Sequence, residues 1–204
     1  MIRASVPGCA AIVLLLLSTA PIANAQGRAP LVGTAEWSMP SGYKEVQARA
    51  LIMQRKLLVA MADSMPERLY TDRITPVQRD FAHQIQHAAG EAHRIAAFVL
   101  GMPHPGNLPD SATAVATRQG LTAYINASYD DLDQWLAAQP ETARNEVVDF
   151  FGNKVARWQT WDEIAAYTVW TAAQTVAIFR KNGMAPPGFR YFNNENVKVR
   201  KPEN

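Results

Sequence analysis

The 204-residue chain has one cysteine, Cys9, so no disulfide can form within it. Charge is also sparse: 20 basic and 18 acidic side chains make up 19% of the residues and leave a formal net charge of +2. Nucleic-acid-binding domains usually carry a clustered basic face, so we predict no nucleic-acid partner. The sequence also has no glycine-rich phosphate loop and no G-x-S-x-G motif. With 48% hydrophobic residues, the chain nevertheless has enough apolar material for a folded core.

The N-terminus has the pattern of a secretory signal peptide. Arg3 is the only charged side chain of the first 25 residues, and the apolar residues 9–17 follow it. The A-x-A pattern of a cleavage site comes next, at Ala23-Asn24-Ala25. The apolar run is shorter than the roughly 20 residues that span a bilayer, which disfavours the alternative of an uncleaved anchor. We therefore predict cleavage after Ala25, export to the periplasm or the medium, and no stable membrane anchor after cleavage.

Removal of residues 1–25 would leave a chain without cysteine. Thiolate catalysis and cysteine-ligated zinc are therefore excluded for such a mature protein. Residues 26–42 contain glycine and proline without periodicity, which predicts an extended leader. Residues 189–204 are polar and slightly basic, which predicts a solvated tail. The folded domain should accordingly lie within residues 43–188.

Within that domain, apolar residues recur every three or four positions in four stretches, which is typical of amphipathic helices. No βαβ pattern accompanies them, so the sequence predicts an all-α fold and, within it, a four-helix bundle. Long connections before the third and fourth helices allow a crossover in place of simple up-and-down packing. For residues 144–158 the sequence allows three alternatives: a short strand pair, a helix edge or a packed loop. The predicted helices span residues 43–65, 75–101, 111–138 and 160–182.

Local signals indicate where three of these helices begin. Thr75 is the predicted N-cap of the second helix, and Pro76 suits its first helical position. Ser111 is the predicted cap of the third helix. Thr160, with Glu163 three residues later, forms a capping box for the fourth helix.

Two histidines, His83 and His87, lie four residues apart and thus on one face of the predicted second helix. This is the spacing of helical zinc pairs, but Gln84 stands where hydrolytic zinc motifs have their general-base glutamate. The face lies opposite the apolar side of the helix, so we favour a solvated polar stripe and expect no metal or other cofactor. A zinc or nickel site formed by His83, His87 and Glu91 is the alternative. The polar stripe consists of Asp80, His83, Gln84, His87, Glu91 and Arg94.

Several segments follow one another in the order and spacing of a known family. They are AMADSMPERLY at residues 60–70, RDFAHQIQHAAG at 79–90 with Leu100-Gly101 after it, QTVAIFR at 174–180 and NGMAPP at 182–187. In this order they resemble the end of the first helix, the second helix, and the last helix with its exit in the DinB-like superfamily of four-helix bundles. The resemblance covers roughly residues 43–188.

The resemblance implies a pocket in the interior of the bundle. Members of the family commonly bind zinc or nickel through one histidine in the second helix and two histidines, four residues apart, in the fourth. His87 corresponds to the first of these, but Tyr167 and Thr171 occupy the other two positions, seven and three residues before Gln174. Phenol and threonine hydroxyl groups are unusual ligands for these metals. His87, Tyr167, Thr171 and Gln174 are therefore the candidate pocket residues, without the metal.

These observations leave three functional hypotheses, one of which is a purely structural or oligomeric role. Family members with the histidine triad include transferases and isomerases that depend on cytoplasmic thiol cofactors, which does not suit an exported chain. We therefore predict a metal-free binding or accessory protein that holds a small molecule in a degenerate pocket. The alternative is a metal-dependent hydrolase or transferase with relocated ligands. A monomer and a homodimer are both open, because bundles often bury a leftover apolar face by pairing.

Overall fold

Four long helices form where the apolar spacing predicts them. A computed structural model describes residues 42–103 and 108–188 of the chain. Within these residues the structure is mainly helical, with one small sheet, so the prediction of an all-α fold is confirmed. The helices are α1 (Tyr43–Ser64), α2 (Phe81–Val99), α3 (Ser111–Ala114), α4 (Arg118–Ala138), α5 (Arg157–Ala173) and α6 (Val176–Lys181), with short 3-10 helices at Glu67–Leu69 and Glu141–Asn145.

The predicted signal peptide 1–25, the leader 26–42 except its last residue, and the tail 189–204 lie outside the described residues. No helix in the described part of the chain is long and apolar enough to cross a membrane.

Helix α2 begins five residues later than predicted. Its N-cap is Asp80, whose Oδ1 accepts a hydrogen bond of 3.0 Å from the backbone N–H of His83. Thr75, the predicted cap, instead starts a turn in which the N–H of Gln78 donates to the Thr75 carbonyl. Aspartate is among the strongest N-cap residues, and the cap selects the position at which the helix can begin.

The predicted third helix is divided in two. Ser111 opens only the short α3, which is capped by Asp110. A new cap, Thr117, accepts a hydrogen bond of 3.0 Å from the N–H of Gly120 and starts α4. Gly120 permits the sharp corner, because a Cβ atom there would lie 2.8 Å from the carbonyl oxygen of Ala114.

The fourth predicted helix differs at its start and in its interior. It begins at Arg157, where the side chain of Gln159 accepts a hydrogen bond from the N–H of Ala156, and Thr160 is buried inside the helix instead of capping it. It is then interrupted between α5 and α6. The backbone N–H and the hydroxyl of Thr175 both donate to the carbonyl of Ala172, which tightens the turn and ends the regular helix.

Residues 144–158 contain the strand pair that was one of the three alternatives. Strands β1 (Val147–Phe150) and β2 (Asn153–Ala156) form an antiparallel hairpin. The turn between them places Phe151 at φ 50° and Gly152 at φ 88°, and only the glycine adopts such an angle without steric cost. The ring of Phe151 stacks on Phe98 of α2, with ring centroids 5.5 Å apart.

Contacts between side chains give the directions of the long helices. Helices α2 and α4 run parallel, because Tyr124 lies beside Gly90 and Asp131 lies beside His93. A connection that joins two parallel neighbours must return along the length of the helices, so the segment between α2 and α4 is a crossover.

The other main pairs are antiparallel. Lys44 and Arg55 of α1 contact Ala137 and Asn126 of α4, respectively. Helices α2 and α5 are likewise antiparallel, and each long helix packs most extensively against one that is not its neighbour in sequence. The largest side chains of the shared core include Trp161, Tyr129, Phe81 and Phe179.

Candidate functional site

The antiparallel pair α2 and α5 brings His87 and Tyr167 into direct contact. The Tyr167 hydroxyl lies 2.9 Å from Nε2 of His87, and the two rings meet edge to face with centroids 6.1 Å apart. On the other side of the imidazole, Nδ1 lies 3.7 Å from Oε1 of Glu91. Two of the four candidate pocket residues therefore form one hydrogen-bonded unit.

The environment of His87 favours the neutral imidazole. Burial lowers the pKa of His87 below its usual value, and the positive charges of Arg79 and Arg94 lower it further. Glu91 acts in the opposite direction, but its carboxylate is already engaged by the guanidinium of Arg94. A neutral imidazole has one donor and one acceptor nitrogen, so Nε2 can accept a hydrogen bond from Tyr167 when the proton is on Nδ1.

The other two candidates are connected to α2 through Gln84: Thr171 lies one turn further along α5, and Gln174 lies two turns further, at its C-cap. The amide Nε2 of Gln84 donates to the Thr171 carbonyl at 3.1 Å and to Oε1 of Gln174 at 3.2 Å. Thr171 is buried, whereas Gln174 is exposed at the end of α5. The four candidates thus line one helix interface but form two separate hydrogen-bonded groups.

The prediction of a solvated polar stripe on α2 is wrong for most of its members. Asp80 and Gln84 are buried, and His87 and Glu91 are largely covered. Only His83 and Arg94 are exposed. The reason is that α2 packs against α5 as well as α4, and Gln84 and His87 of the stripe contact α5, so the stripe lies within an interface.

The alternative metal ligands are engaged in different contacts. Nδ1 of His83 lies 2.7 Å from Oδ1 of Asp80, and Glu91 forms an ion pair with Arg94 at the other end of the stripe. Among the residues that the structure describes, no three His, Cys, Asp or Glu side chains are grouped so as to hold a metal ion. The positions that the resemblance assigns to the triad fit such an ion poorly, since Tyr167 already occupies Nε2 of His87.

The sequence interpretation missed a buried histidine of α2 and its partner on α4. Nε2 of His93 lies 3.0 Å from Oδ2 of Asp131 in α4, and its ring packs on Trp135 with centroids 4.7 Å apart. The signal was available, because His93 stands among the apolar residues of α2. A histidine on an apolar face needs a buried partner, which here is a carboxylate on the parallel helix.

A second missed group connects three helices. The Tyr129 hydroxyl of α4 donates to Gln54 of α1 at 3.2 Å and lies 3.4 Å from the hydroxyl of Thr168 in α5. All three side chains are buried, and burial raises the pKa of Tyr129 well above its usual value. Thr168 directly follows Tyr167, so this group and the His87 contact use adjacent positions of one helix.

Two open cavities lie away from these groups. One of about 440 Å³ is found where the end of α1 meets the start of α4, and one of about 340 Å³ lies in the groove between the same two helices nearer the start of α1. Neither is lined by a candidate pocket residue. The first is lined by Asp63, Glu67, Arg118, Gln119 and Thr122, and the second by Lys44, Glu45, Ala48, Ile52, Asp133, Leu136 and Ala137.

The arrangement between α2 and α5 can bind through hydrogen bonds but offers little to a metal. A neutral imidazole and a phenol can each donate or accept, and they lie at the partly covered edge of the interface. In comparisons with known proteins, no family model matches the chain and no curated protein matches it.

Proposed function

We propose that the protein is a DinB-like four-helix bundle without a metal, which acts after export as a binding or accessory protein. Two features support the proposed fold beyond the sequence resemblance. Helices α2 and α4 run parallel and are joined by a crossover, and all four long helices contribute to one core. The fold proposal concerns residues 43–188, and the export proposal depends on the N-terminal sequence pattern alone.

One observation carries the functional proposal, namely the hydrogen bond between the Tyr167 hydroxyl and Nε2 of His87. A metal at the family's position would need that nitrogen as a ligand. Here the nitrogen already has a protein partner, and burial together with two nearby arginines lowers the pKa of His87 and so favours the neutral imidazole. The pair is therefore suited to exchange its internal hydrogen bond for one with a small polar molecule.

Metal analysis of site variants tests the proposal. We expect wild-type protein purified without chelator to contain far less than one equivalent of zinc or nickel. The double variant Tyr167→His/Thr171→His would place imidazoles at all three family positions and should bind close to one equivalent of zinc. Trp170→His is the matched control, because it adds an exposed histidine to the same helix outside the proposed pocket.

Two outcomes would reject parts of this proposal. Stoichiometric metal in the wild type would reject the metal-free function. If that metal were lost in His83→Ala/His87→Ala, the alternative enzyme with relocated ligands would be supported. If the double histidine variant folded but bound no more zinc than Trp170→His, the proposed correspondence to the family's ligand positions would be wrong.

A further inference from the structure

The loop between α1 and α2 presents apolar side chains to solvent at its apex. Thr75 and Gln78 close a turn through a backbone hydrogen bond of 3.1 Å, with Pro76 inside it. Val77 in the same turn is 96% exposed, and Ile74 just before it is 42% exposed. A single exposed apolar residue is common on protein surfaces. Two exposed apolar residues at the tip of one turn suggest a binding role.

Hydrogen bonds on both sides of the turn hold this apex outward. On one side, Nζ of Lys181 in α6 donates to Oδ1 of Asp72 at 2.5 Å and to the Arg73 carbonyl at 2.9 Å. On the other side, the side chain of Gln78 reaches the Gln174 carbonyl at 3.5 Å. The loop is thus fixed to the end of α5 and to α6, and it does not turn its apolar side chains toward the core.

A third exposed apolar side chain lies on α5, the helix whose end contacts the loop. Trp170 is 71% exposed on α5, one helical turn before Gln174, the residue that contacts the loop. Tryptophan is the side chain that most favours the boundary between water and lipid. We call Ile74, Val77 and Trp170 the apolar corner.

Two exposed arginines lie next in sequence to residues that hold the loop in place, Arg79 beside Gln78 and Arg180 beside Lys181. Arg79 and Arg180 are exposed and form no ion pair with any residue in the described ranges. The two aspartates of the loop are not free, because Asp72 is bound by Lys181 and Asp80 is buried as the cap of α2. A partner at this corner would therefore meet projecting apolar groups and unpaired guanidinium groups together.

We propose that the apolar corner binds the surface of an anionic lipid bilayer. Val77 and Ile74 enter the boundary between headgroups and acyl chains, Trp170 lies at the headgroup level, and Arg79 and Arg180 contact lipid phosphates. The binding is peripheral and reversible, since a few side chains supply far less apolar area than a spanning helix.

The shape of the corner favours lipid over a folded protein partner. A stable protein interface usually buries about 1,200–2,000 Å² around a packed core. The corner offers three separate projecting side chains instead of a flat or concave patch of that size. A fluid bilayer can close around projections without a matching pocket.

Vesicle binding tests the proposal. The protein is collected after export from an expression host, its N-terminus is established by mass spectrometry, and it is sedimented with vesicles of phosphatidylglycerol and phosphatidylcholine in equal parts. We expect binding that weakens with added salt and is absent with phosphatidylcholine alone. Ile74→Ser/Val77→Ser should weaken binding at least about tenfold, whereas Phe98→Ser, exposed at the opposite end of α2, should leave it unchanged.

A fluorescence measurement tests whether the loop inserts into the bilayer, separately from electrostatic attraction of the protein to the vesicle surface. A chain processed at the predicted site has no cysteine, so Val77→Cys provides a unique position for an environment-sensitive fluorophore. Its emission should shift to the blue with anionic vesicles, while the same label at Asn153→Cys in the hairpin should not respond. Absence of vesicle binding, equal binding by the serine double variant, or equal fluorophore responses at the two positions would each overturn the proposal.

Discussion

At the scale of single residues, the protonation of His87 is coupled to folding. Its pKa is lowered in the folded chain by burial and by Arg79 and Arg94, while the unfolded chain should show the ordinary value of about 6.5. Below that pH, His87 is protonated in the unfolded chain but still neutral in the folded chain. The free energy of unfolding therefore decreases as the pH falls. The loss ends once the pH is below the folded pKa, where both states are protonated.

This gives a prediction for stability against pH. We expect the free energy of unfolding of the wild type to fall between about pH 6.5 and the folded pKa of His87. His87→Gln should remove this component while keeping a hydrogen-bonding side chain opposite Tyr167. Urea denaturation at several pH values measures the difference, and identical pH profiles for the two proteins would contradict it. An NMR titration of the His87 ring should independently give a pKa below 6.5.

Gly90 is required by the close approach of α4 to α2. A Cβ atom at this position would lie 2.7 Å from the hydroxyl oxygen of Tyr124. Gly90→Ala should therefore destabilise the protein by about 1–3 kcal/mol, although alanine is the better helix former. In a Tyr124→Phe background the next ring atom is 3.6 Å away, so the same substitution should be neutral or stabilising. Thermal unfolding of the four proteins tests this, and equal effects of Gly90→Ala in both backgrounds would refute it.

The hydrogen bond between His87 and Tyr167 joins two positions that the family resemblance singled out, whereas the burial of Gln84 and His93 was not predicted. Tyr167 was identified because it occupies a ligand position of the resembling family. The burial of Gln84 and His93 was not predicted, because the helical periodicity of α2 was interpreted as one buried apolar face and one solvent-exposed polar face. A helix with neighbours on two sides buries polar residues as well, and the sequence of that helix alone does not contain the second neighbour.

At the scale of elements, Gln84 holds the junction between α5 and α6. The early turn at Thr175 removes the regular helical partner of the Thr171 carbonyl, which keeps only a long hydrogen bond of 3.4 Å from the N–H of Gln174, and Gln84 supplies a second donor at 3.1 Å. Gln84→Met keeps the approximate volume but removes the donor, and we expect a loss of about 1–3 kcal/mol in the free energy of unfolding. Hydrogen exchange of the α6 amides should also become faster.

Gln78→Met is the matched control for that prediction. Gln78 also donates to this junction, at the Gln174 carbonyl, but it does so at 3.5 Å and in an exposed position where water can replace it. We expect a change of less than about 0.5 kcal/mol. Equal losses for the two variants would show that Gln84 is not specifically required.

The existence of the helices was predictable from apolar spacing, but several of their ends were not. Thr75-Pro76 is a sound local start signal, yet Asp80 provides the cap that the structure uses. The single helix predicted to residue 182 failed at Thr175, where a side-chain hydroxyl competes for a backbone carbonyl. Such competition between nearby caps and hydroxyls is decided by packing, which a local pattern does not include.

At the scale of the whole molecule, the group around Tyr129 connects α1, α4 and α5. Tyr129→Phe should cost about 1–3 kcal/mol, because it leaves the carbonyl oxygen of Gln54 buried without this donor. Adding Gln54→Leu to that variant removes the stranded acceptor and should recover a large part of the loss. A double-mutant cycle by urea denaturation measures the coupling. Additive losses would mean that the hydrogen bond does not link the helices energetically.

The pairing of the helices has a consequence for how the chain can acquire its structure during synthesis. The first half of the domain carries α1 and α2, which contact one another only sparsely, while their main partners α4 and α5 are both in the second half. Until α4 has been made, only α2 can cover part of the apolar side of α1, and α5, the main partner of α2, is made later still. Folding should therefore be slow for a helical protein, since most contacts between its long helices join distant parts of the sequence. The apolar residues of the first third of the domain can therefore be fully buried only after the last third has been synthesised.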